Sequence, residues 1–255
     1  MGTHMAVVAT DLEWAYEPAD FFEEPWSLDL DLGTLTLDNG TARLRLAAAA
    51  DPVPLDLRER AHAQVAWVLD ARLLLEGRPY SLRGPNITQH EEGGIRHTVA
   101  LLEGDALKVG LGRVDVVITD AAGEVLRDTK AERLHNDRAF VCTLTRKAAG
   151  SPRLTSLLRS YKAAVSDPAN ALVHLYEIKD ALSSTFGGDE AALQALGKPK
   201  EEWRELKRLA NDEPLQEGRH RGKHTANIRP ATPDELVTAK RIARLLIERF
   251  AETLP

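Results

Sequence analysis

The sequence predicts an α+β protein with two domains: a mostly antiparallel β domain over residues 5–148 and a helical bundle over residues 151–255. Three observations predict this fold. Apolar residues recur with a period close to two up to about residue 145, and with the period of a helix after residue 150. Small residues and glycine break both patterns over residues 147–152. Hairpin signals also follow one another without intervening helical patterns of about 10–15 residues, which argues against a doubly wound nucleotide-binding fold.

Turn signals divide the first domain into short strands. Leu28 and Leu30 alternate with aspartates, and Asp38-Asn39-Gly40 is typical of a hairpin turn. Further strands are expected over residues 64–75, 97–101, 107–111 and 114–118. The segment 13–24 is acidic and aromatic, and we interpret it as an arm that covers another surface. Residues 58–66 are a candidate helix.

Start and stop signals divide the second domain into five helices. Three starts combine a capping residue with proline at the next position: Ser151, Asp167 and Thr232. Glycines at 187, 188 and 197 end the second and third helices. The third and fourth helices are expected over residues 190–196 and 199–210. Glu235 completes a capping-box signal for the last helix.

The composition restricts the class of protein. A hydrophobic content of 43% with 28% charged residues is typical of a globular domain. No apolar run approaches the roughly 20 residues that cross a bilayer, and no signal-peptide pattern is visible, so no membrane partner is expected. The single cysteine, Cys142, excludes an internal disulfide and a thiolate zinc site. It fits a cytoplasmic location, and its apolar neighbours predict an inert, buried thiol.

Charge is distributed unevenly along the chain. The net charge is −6, but from residue 151 onward 17 Lys and Arg stand against 15 Asp and Glu, while residues 1–150 hold 16 against 24. The second domain is therefore slightly positive and the first strongly negative. Because charges farther apart than about 8–10 Å are largely screened, a basic patch in the second domain is able to bind phosphates.

The segment most informative about function is residues 219–224, Arg-His-Arg-Gly-Lys-His. It lies in a long polar connector, residues 211–231, and such loops are usually functional or disordered. Arg219 offers a guanidinium fork for phosphate oxygens, and His224 exchanges protons near neutral pH. RNA carries its own nucleophile, the 2′-OH, so this pair meets the chemical needs of RNA cleavage with no metal or cofactor.

Arg219, His220 and His224 together resemble the Arg-(polar)-x3-His form of the Arg-x4–6-His motif of HEPN domains. These are small helical bundles that include metal-independent RNases of bacterial defence, toxin–antitoxin and CRISPR systems. The resemblance covers residues 151–255. It implies that Arg219 and His224 are catalytic, that His220 is the supporting polar residue, and that two protomers pair so that both motifs line one cleft.

The hypothesis of a HEPN-like RNase is completed by supporting residues and partners. Arg221 and Lys223 would contact the RNA, and Glu177 or Asp180 on the second helix would be the acid that such families often place on an earlier helix. Single-stranded RNA is the expected substrate, and a homodimer the expected assembly, with an antitoxin or sensor protein as a further partner. The β domain would have a sensing or binding role.

Other interpretations stay open. The bundle is alternatively a non-catalytic dimerisation or RNA-binding module, because Gly222 places the motif in a loop, whereas the family's motif usually abuts a helix. The basic loop is alternatively a solvated segment paired with Glu213 and Glu217. A third alternative gives the main function to the β domain. Zinc binding by His220 and His224 is disfavoured, since Arg221 follows the first histidine where a zincin has glutamate.

Overall fold

The structure, a computed structural model, describes residues 6–92, 94–98, 115–119, 124–219 and 228–255. It combines an antiparallel β-sheet with helices, which confirms the α+β class. Among these residues no helix is both long and apolar enough to cross a membrane. The chain forms two compact units, the first from residues 1–69 and 80–142 and the second from residues 70–79 and 143–255.

A six-stranded antiparallel sheet organises the first unit. In chain order β1 to β6, its strands are Val7–Glu17, Trp26–Leu30, Gly33–Asp38, Thr41–Leu46, Ser81–Glu91 and Gly94–Thr98. Their order in the sheet is β2-β3-β4-β1-β5-β6, so β1 lies between β4 and β5. A separate pair of strands is formed by Val117–Thr119 (β7) and Val125–Asp128 (β8).

The predicted hairpin turn joins β3 to β4. Asp38 pairs with Thr41, and both Asn39 and Gly40 have positive φ values, 40° and 80°. Two central residues with positive φ define the turn that matches the twist of a hairpin, and asparagine and glycine tolerate that conformation best. The prediction at residues 38–40 is confirmed.

Aromatic side chains form the core beside the sheet. The rings of Phe22 and Trp26 meet edge to face at 4.8 Å between centroids, and Tyr16 meets Phe22 at 5.7 Å. The long helix Leu55–Glu76 (α1) contributes its first part to this unit, where Trp14 Nε1 donates to His62 Nδ1 at 3.0 Å. These contacts bury the inward face of the central strand.

Three expectations for the first half of the chain are wrong. Residues 64–75 belong to α1, which contains the candidate helix at 58–66, and are not a strand. The segment 13–24 is not a covering arm, because it begins inside the central strand β1. A helix of 22 residues, Thr129–Gly150 (α2), replaces the expected period-two pattern and places Cys142 in a half-buried position. The expected strand at 107–111 lies outside the described residues.

Among the described residues the second unit contains five further helices, as predicted. They are Pro152–Ser166 (α3), Ala171–Phe186 (α4), Asp189–Ala195 (α5), Lys200–Lys207 (α6) and Pro233–Thr253 (α7). Ser151 Oγ accepts a hydrogen bond from the Leu154 N–H, and Gly187 ends α4 with φ 83°. A 3-10 turn at Pro168–Asn170 precedes α4, and a π-helical turn at Arg208–Asp212 follows α6.

Helices α3, α4 and α7 pack against one another to form the core of this unit. Leu157, Leu175 and Leu246 are fully or almost fully buried, one on each helix. The rings of Phe186 and Phe250 meet edge to face at 6.0 Å between centroids where α4 and α7 end. This core holds α4 in place, and α4 carries the predicted acidic residues Glu177 and Asp180.

Candidate functional site

The structure describes three of the predicted site residues, namely Arg219, Glu177 and Asp180. The other four, His220, Arg221, Lys223 and His224, lie outside the described residues. The geometry of the site therefore rests on Arg219, on its contacts with α4, and on the residues that flank the basic segment.

The backbone before Arg219 is anchored to two helical elements. The Arg219 N–H donates to the carbonyl of Ala210 at 2.9 Å, in the π-helical turn. The Val173 N–H, in the first turn of α4, donates to the Glu217 carbonyl at 3.2 Å. A Cβ at Gly218 would meet the carbonyl oxygens of Leu215 and Ala210 at 3.2 and 3.3 Å. Glycine at 218 thus allows the close approach that positions Arg219.

The chain that follows the basic segment is paired with the chain that precedes it. The Gln216 N–H donates to the Arg229 carbonyl at 3.0 Å, and the Arg229 N–H donates to the Pro214 carbonyl at 3.1 Å. The Glu217 carboxylate accepts a hydrogen bond from the Ala231 N–H at 2.9 Å. Both flanks of the predicted motif are therefore held together by backbone hydrogen bonds.

Arg219 makes two side-chain contacts with α4. Its Nη1 donates to Asp180 Oδ2 at 2.7 Å, and its guanidinium lies over the Tyr176 ring, 4.7 Å from the centroid. Tyr176 is buried, and burial together with the charge of Asp180 raises the pKa of its hydroxyl, although Arg219 opposes this. About two fifths of the Arg219 side chain is exposed. A guanidinium has five N–H donors, so an oriented, accessible group remains for an anion.

Glu177, the other predicted acid, has different partners. It accepts a hydrogen bond from Ser160 Oγ at 3.2 Å, and its carboxylate lies 3.5 Å from His174 Nδ1. The alternative pairing of the basic loop with acids of its own connector is not seen for Arg219. Glu213 instead pairs with Arg208 at 2.7 Å.

A buried lysine, which sequence reasoning missed, extends the cluster along α4. Lys179 is only 3% exposed, and its Nζ donates to Asp189 Oδ2 at 2.9 Å. The same ammonium lies 4.5 Å from the centroid of the Trp203 ring and 5.4 Å from that of Tyr176. Burial raises the pKa of Asp189, but hydrogen bonds from Trp203, Ser183 and Lys179 outweigh it and leave that pKa at about 2. The sequence does contain a signal for this cluster. Tyr176 and Lys179 are three residues apart, a spacing that places both side chains on one face of α4.

A second polar cluster lies on the sheet of the first unit. Asp11 on β1 is nearly buried and forms an ion pair with Arg45, and its Oδ2 lies 2.9 Å from His90 Nε2. Burial raises the pKa of Asp11, but its bonds to Arg45 and His90 prevail and lower it. Asp11 and Arg45 are directly opposed in the register of β1 and β4. The cluster is a cross-strand pair of the kind that stabilises sheets.

Within the described part of the chain, no three side chains of His, Cys, Asp or Glu are grouped as metal ligands. Comparison of the chain with known protein families, curated proteins and solved structures finds no match.

Proposed function

We propose that the helical unit is a metal-independent endoribonuclease that cleaves single-stranded RNA. The observation that carries this proposal is the contact of Arg219 with Asp180 over the Tyr176 ring. It joins the start of the basic segment to an acid on an earlier helix, as the resemblance to HEPN domains implies. The substrate is RNA because the proposed chemistry needs a 2′-OH.

In the proposed reaction the 2′-OH oxygen attacks the adjacent phosphorus, and the bond between phosphorus and the 5′ oxygen breaks. His224 removes the proton from the 2′-OH or protonates the leaving oxygen, and Arg219 stabilises the charge on the phosphate oxygens. The products are a 2′,3′-cyclic phosphate and a 5′-OH. His220 supports the reaction, Arg221 and Lys223 hold the strand, and a second protomer supplies the second motif.

The Asp180 contact has a further consequence for this mechanism. A carboxylate beside the guanidinium fixes its orientation over the ring, which lowers the entropy lost when a phosphate binds. The acid therefore acts as a positioning residue and does not exchange protons with the substrate.

A second candidate function is a non-catalytic RNA-binding or dimerisation module. The same ion pair favours it, because Asp180 partly neutralises the charge that a transition-state phosphate would need. In this alternative the basic segment holds phosphate without chemistry, and the β unit senses or binds the partner that regulates the bundle, such as an antitoxin.

We expect the protein to cleave a labelled single-stranded RNA in EDTA, and His224→Ala to abolish cleavage. Arg219→Ala is expected to lower the rate about 100-fold or more, by analogy with the loss of one charge-stabilising donor. The measurement is single-turnover cleavage resolved by gel electrophoresis, with the ends identified as cyclic phosphate and 5′-OH.

Two matched variants serve as controls. His135→Ala removes an exposed histidine of α2, and Arg159→Ala removes an exposed arginine of α3; both should cleave like the wild type. Cleavage that needs a divalent ion, or that persists unchanged in His224→Ala, contradicts the proposal. RNA binding without cleavage, weakened by Arg219→Ala, supports the non-catalytic module instead.

A further inference from the structure

A surface cleft of about 540 Å³ is lined by residues of α5, of α6 and of the turn between them. Its volume lies within the roughly 300–1,000 Å³ of sites that bind small molecules. Four cations line it, Lys198, Lys200, Arg204 and Lys207. Arg219, the one motif residue that the structure describes, is not among the residues that line this cleft.

The side chains of all four cations are exposed. Within the described residues none of them makes an ion pair or a side-chain hydrogen bond. Neighbouring arginines behave differently, since Arg208 pairs with both Glu205 and Glu213 at 2.7 Å. Glu190 also lines the cleft, and Glu201 and Glu202 lie in the first turn of α6, but within the described residues none of these acids forms an ion pair with the four cations.

The positions of these cations have opposing effects on α6: Arg204 and Lys207 lie in its last turn, where cations favour the helix dipole, but neighbouring like charges repel. Lys200, Arg204 and Lys207 follow one another at spacings of four and three, so they share one face of α6, where like charges repel. Lys200 also begins α6, where a cation opposes the helix dipole. An anion bound across this face of α6 would relieve the repulsion between the neighbouring cations.

The turn between α5 and α6 adds an independent observation. Lys198 has φ 63°, a left-handed conformation that is uncommon for a residue with a long side chain. Its N–H donates to the Leu193 carbonyl at 2.6 Å, which holds the turn. Such backbone conformations cluster at ligand-binding sites, and this one brings a fourth cation to the cleft.

The wall of the cleft is rigid. Trp203 is buried and its Nε1 donates to Asp189 Oδ2 at 3.0 Å, while Lys179 neutralises the same carboxylate. Among the described residues two acids line the cleft, and of these only Glu190 carries a charge without a protein cation beside it. The lining is positive overall, and it is preorganised around a fixed indole ring.

We propose that this cleft binds a compact ligand with clustered phosphates, such as the phosphate chain of a nucleoside triphosphate or inorganic polyphosphate. The concave shape favours a compact ligand over a strand that continues at both ends. Cations three and four residues apart on a helix are spaced by about 5–6 Å, which suits successive phosphate groups. This proposal is independent of RNA cleavage.

Isothermal titration calorimetry of the whole protein at low salt, with tripolyphosphate and with ATP, tests the site. Arg204→Glu combined with Lys207→Glu should weaken binding by about tenfold or more, because charge-assisted contacts become repulsive. Arg159→Glu, on α3, reverses a charge that is also exposed but lies outside the cleft, and it should change affinity by less than about threefold. Circular dichroism melting checks that each variant is folded. If the double glutamate variant unfolds, the double variant Arg204→Gln and Lys207→Gln replaces it.

The outcomes are distinct. If ATP binds more tightly than tripolyphosphate, the ligand of the cleft is a nucleotide. If ATP and tripolyphosphate bind with equal affinity, the ligand is inorganic polyphosphate. Equal weakening by the cleft and α3 variants overturns the proposal in favour of general attraction. An oligouridylate whose binding depends on Arg204 and Lys207, with no tripolyphosphate binding, overturns it in favour of an RNA strand.

Discussion

Lys179 shows how a single buried charge organises the helical unit. Its ammonium is removed from water, satisfied by Asp189, and covered by the rings of Trp203 and Tyr176. A buried charge without its partner is costly, whereas the pair itself contributes little net stability. The function of this arrangement is to hold α4, α5 and α6 in one geometry, with the Arg219 contact on one side and the basic cleft on the other.

Asp189→Asn is expected to destabilise the protein by about 1–3 kcal/mol, since Lys179 is left buried and unpaired while Asp189 itself is half exposed. The loss should be measured by urea unfolding at pH 7. Glu190→Gln, an exposed acid on the same helix turn, should change the free energy of unfolding by less than about 0.5 kcal/mol. Equal effects of the two variants would rule out a special role for Asp189.

The pKa of Asp189 also predicts a pH dependence. In the folded protein it is lowered from 3.8 to about 2, so its contribution to stability is full above pH 4 and is lost as the pH falls from about 4 towards 2. The Asn variant lacks this group. Its stability should therefore fall less steeply than that of the wild type over the same interval.

At the level of elements, α7 illustrates a helix whose start is specified locally. Thr232 Oγ1 accepts from the Glu235 N–H at 3.2 Å, and the Glu235 carboxylate accepts from the Thr232 N–H at 2.8 Å. Arg229 also binds Glu235, and its hydrogen bonds lower the pKa of that carboxyl to about 2. The capping box thus ties the helix to the chain that follows the basic segment.

Thr232→Ala is expected to lower the free energy of unfolding by about 1 kcal/mol, because the first turn of α7 loses its cap. Chemical denaturation followed by circular dichroism measures the change. Thr232→Ser keeps the hydroxyl and should stay within about 0.5 kcal/mol of the wild type. A serine variant as unstable as the alanine variant would show that packing of the methyl group, not capping, matters.

Helix α1 shows why some elements could not be predicted. Ala61, Val65, Val68 and Leu69 are buried, and so are Ala71, Leu73 and Leu74. A helix that is buried on nearly all sides lacks a single apolar stripe, so its pattern is not helical. The expected strand at 64–75 was wrong for this reason.

At the scale of the whole molecule, the uneven charge is the property that bears most on binding. A chain with net charge −6 repels RNA on average, so the proposed binding relies on local contacts in the more positive second domain. Such contacts release counterions from the nucleic acid, which makes affinity fall as salt rises.

We therefore expect RNA affinity, measured by fluorescence anisotropy between about 50 and 200 mM salt, to fall steadily with salt. Arg219→Ala should reduce the slope of log K against log salt by about 0.7, the value for one lost phosphate contact with a single strand. Arg159→Ala should leave the slope unchanged. An Arg219 variant with the wild-type slope would show that this guanidinium does not contact phosphate.

The sequence alone determined the features that depend on neighbours along the chain. The caps at Ser151 and Thr232 predicted the starts of α3 and α7, and Asn39-Gly40 predicted the β3–β4 hairpin, because these signals act over a few residues. The cap expected at Asp167 is wrong, since its side chain makes no capping hydrogen bond and α4 begins at Ala171. Only the tertiary structure decided which acid meets Arg219 and that Lys179 is buried against Trp203. These contacts join residues distant in sequence, and packing rather than local propensity selects them.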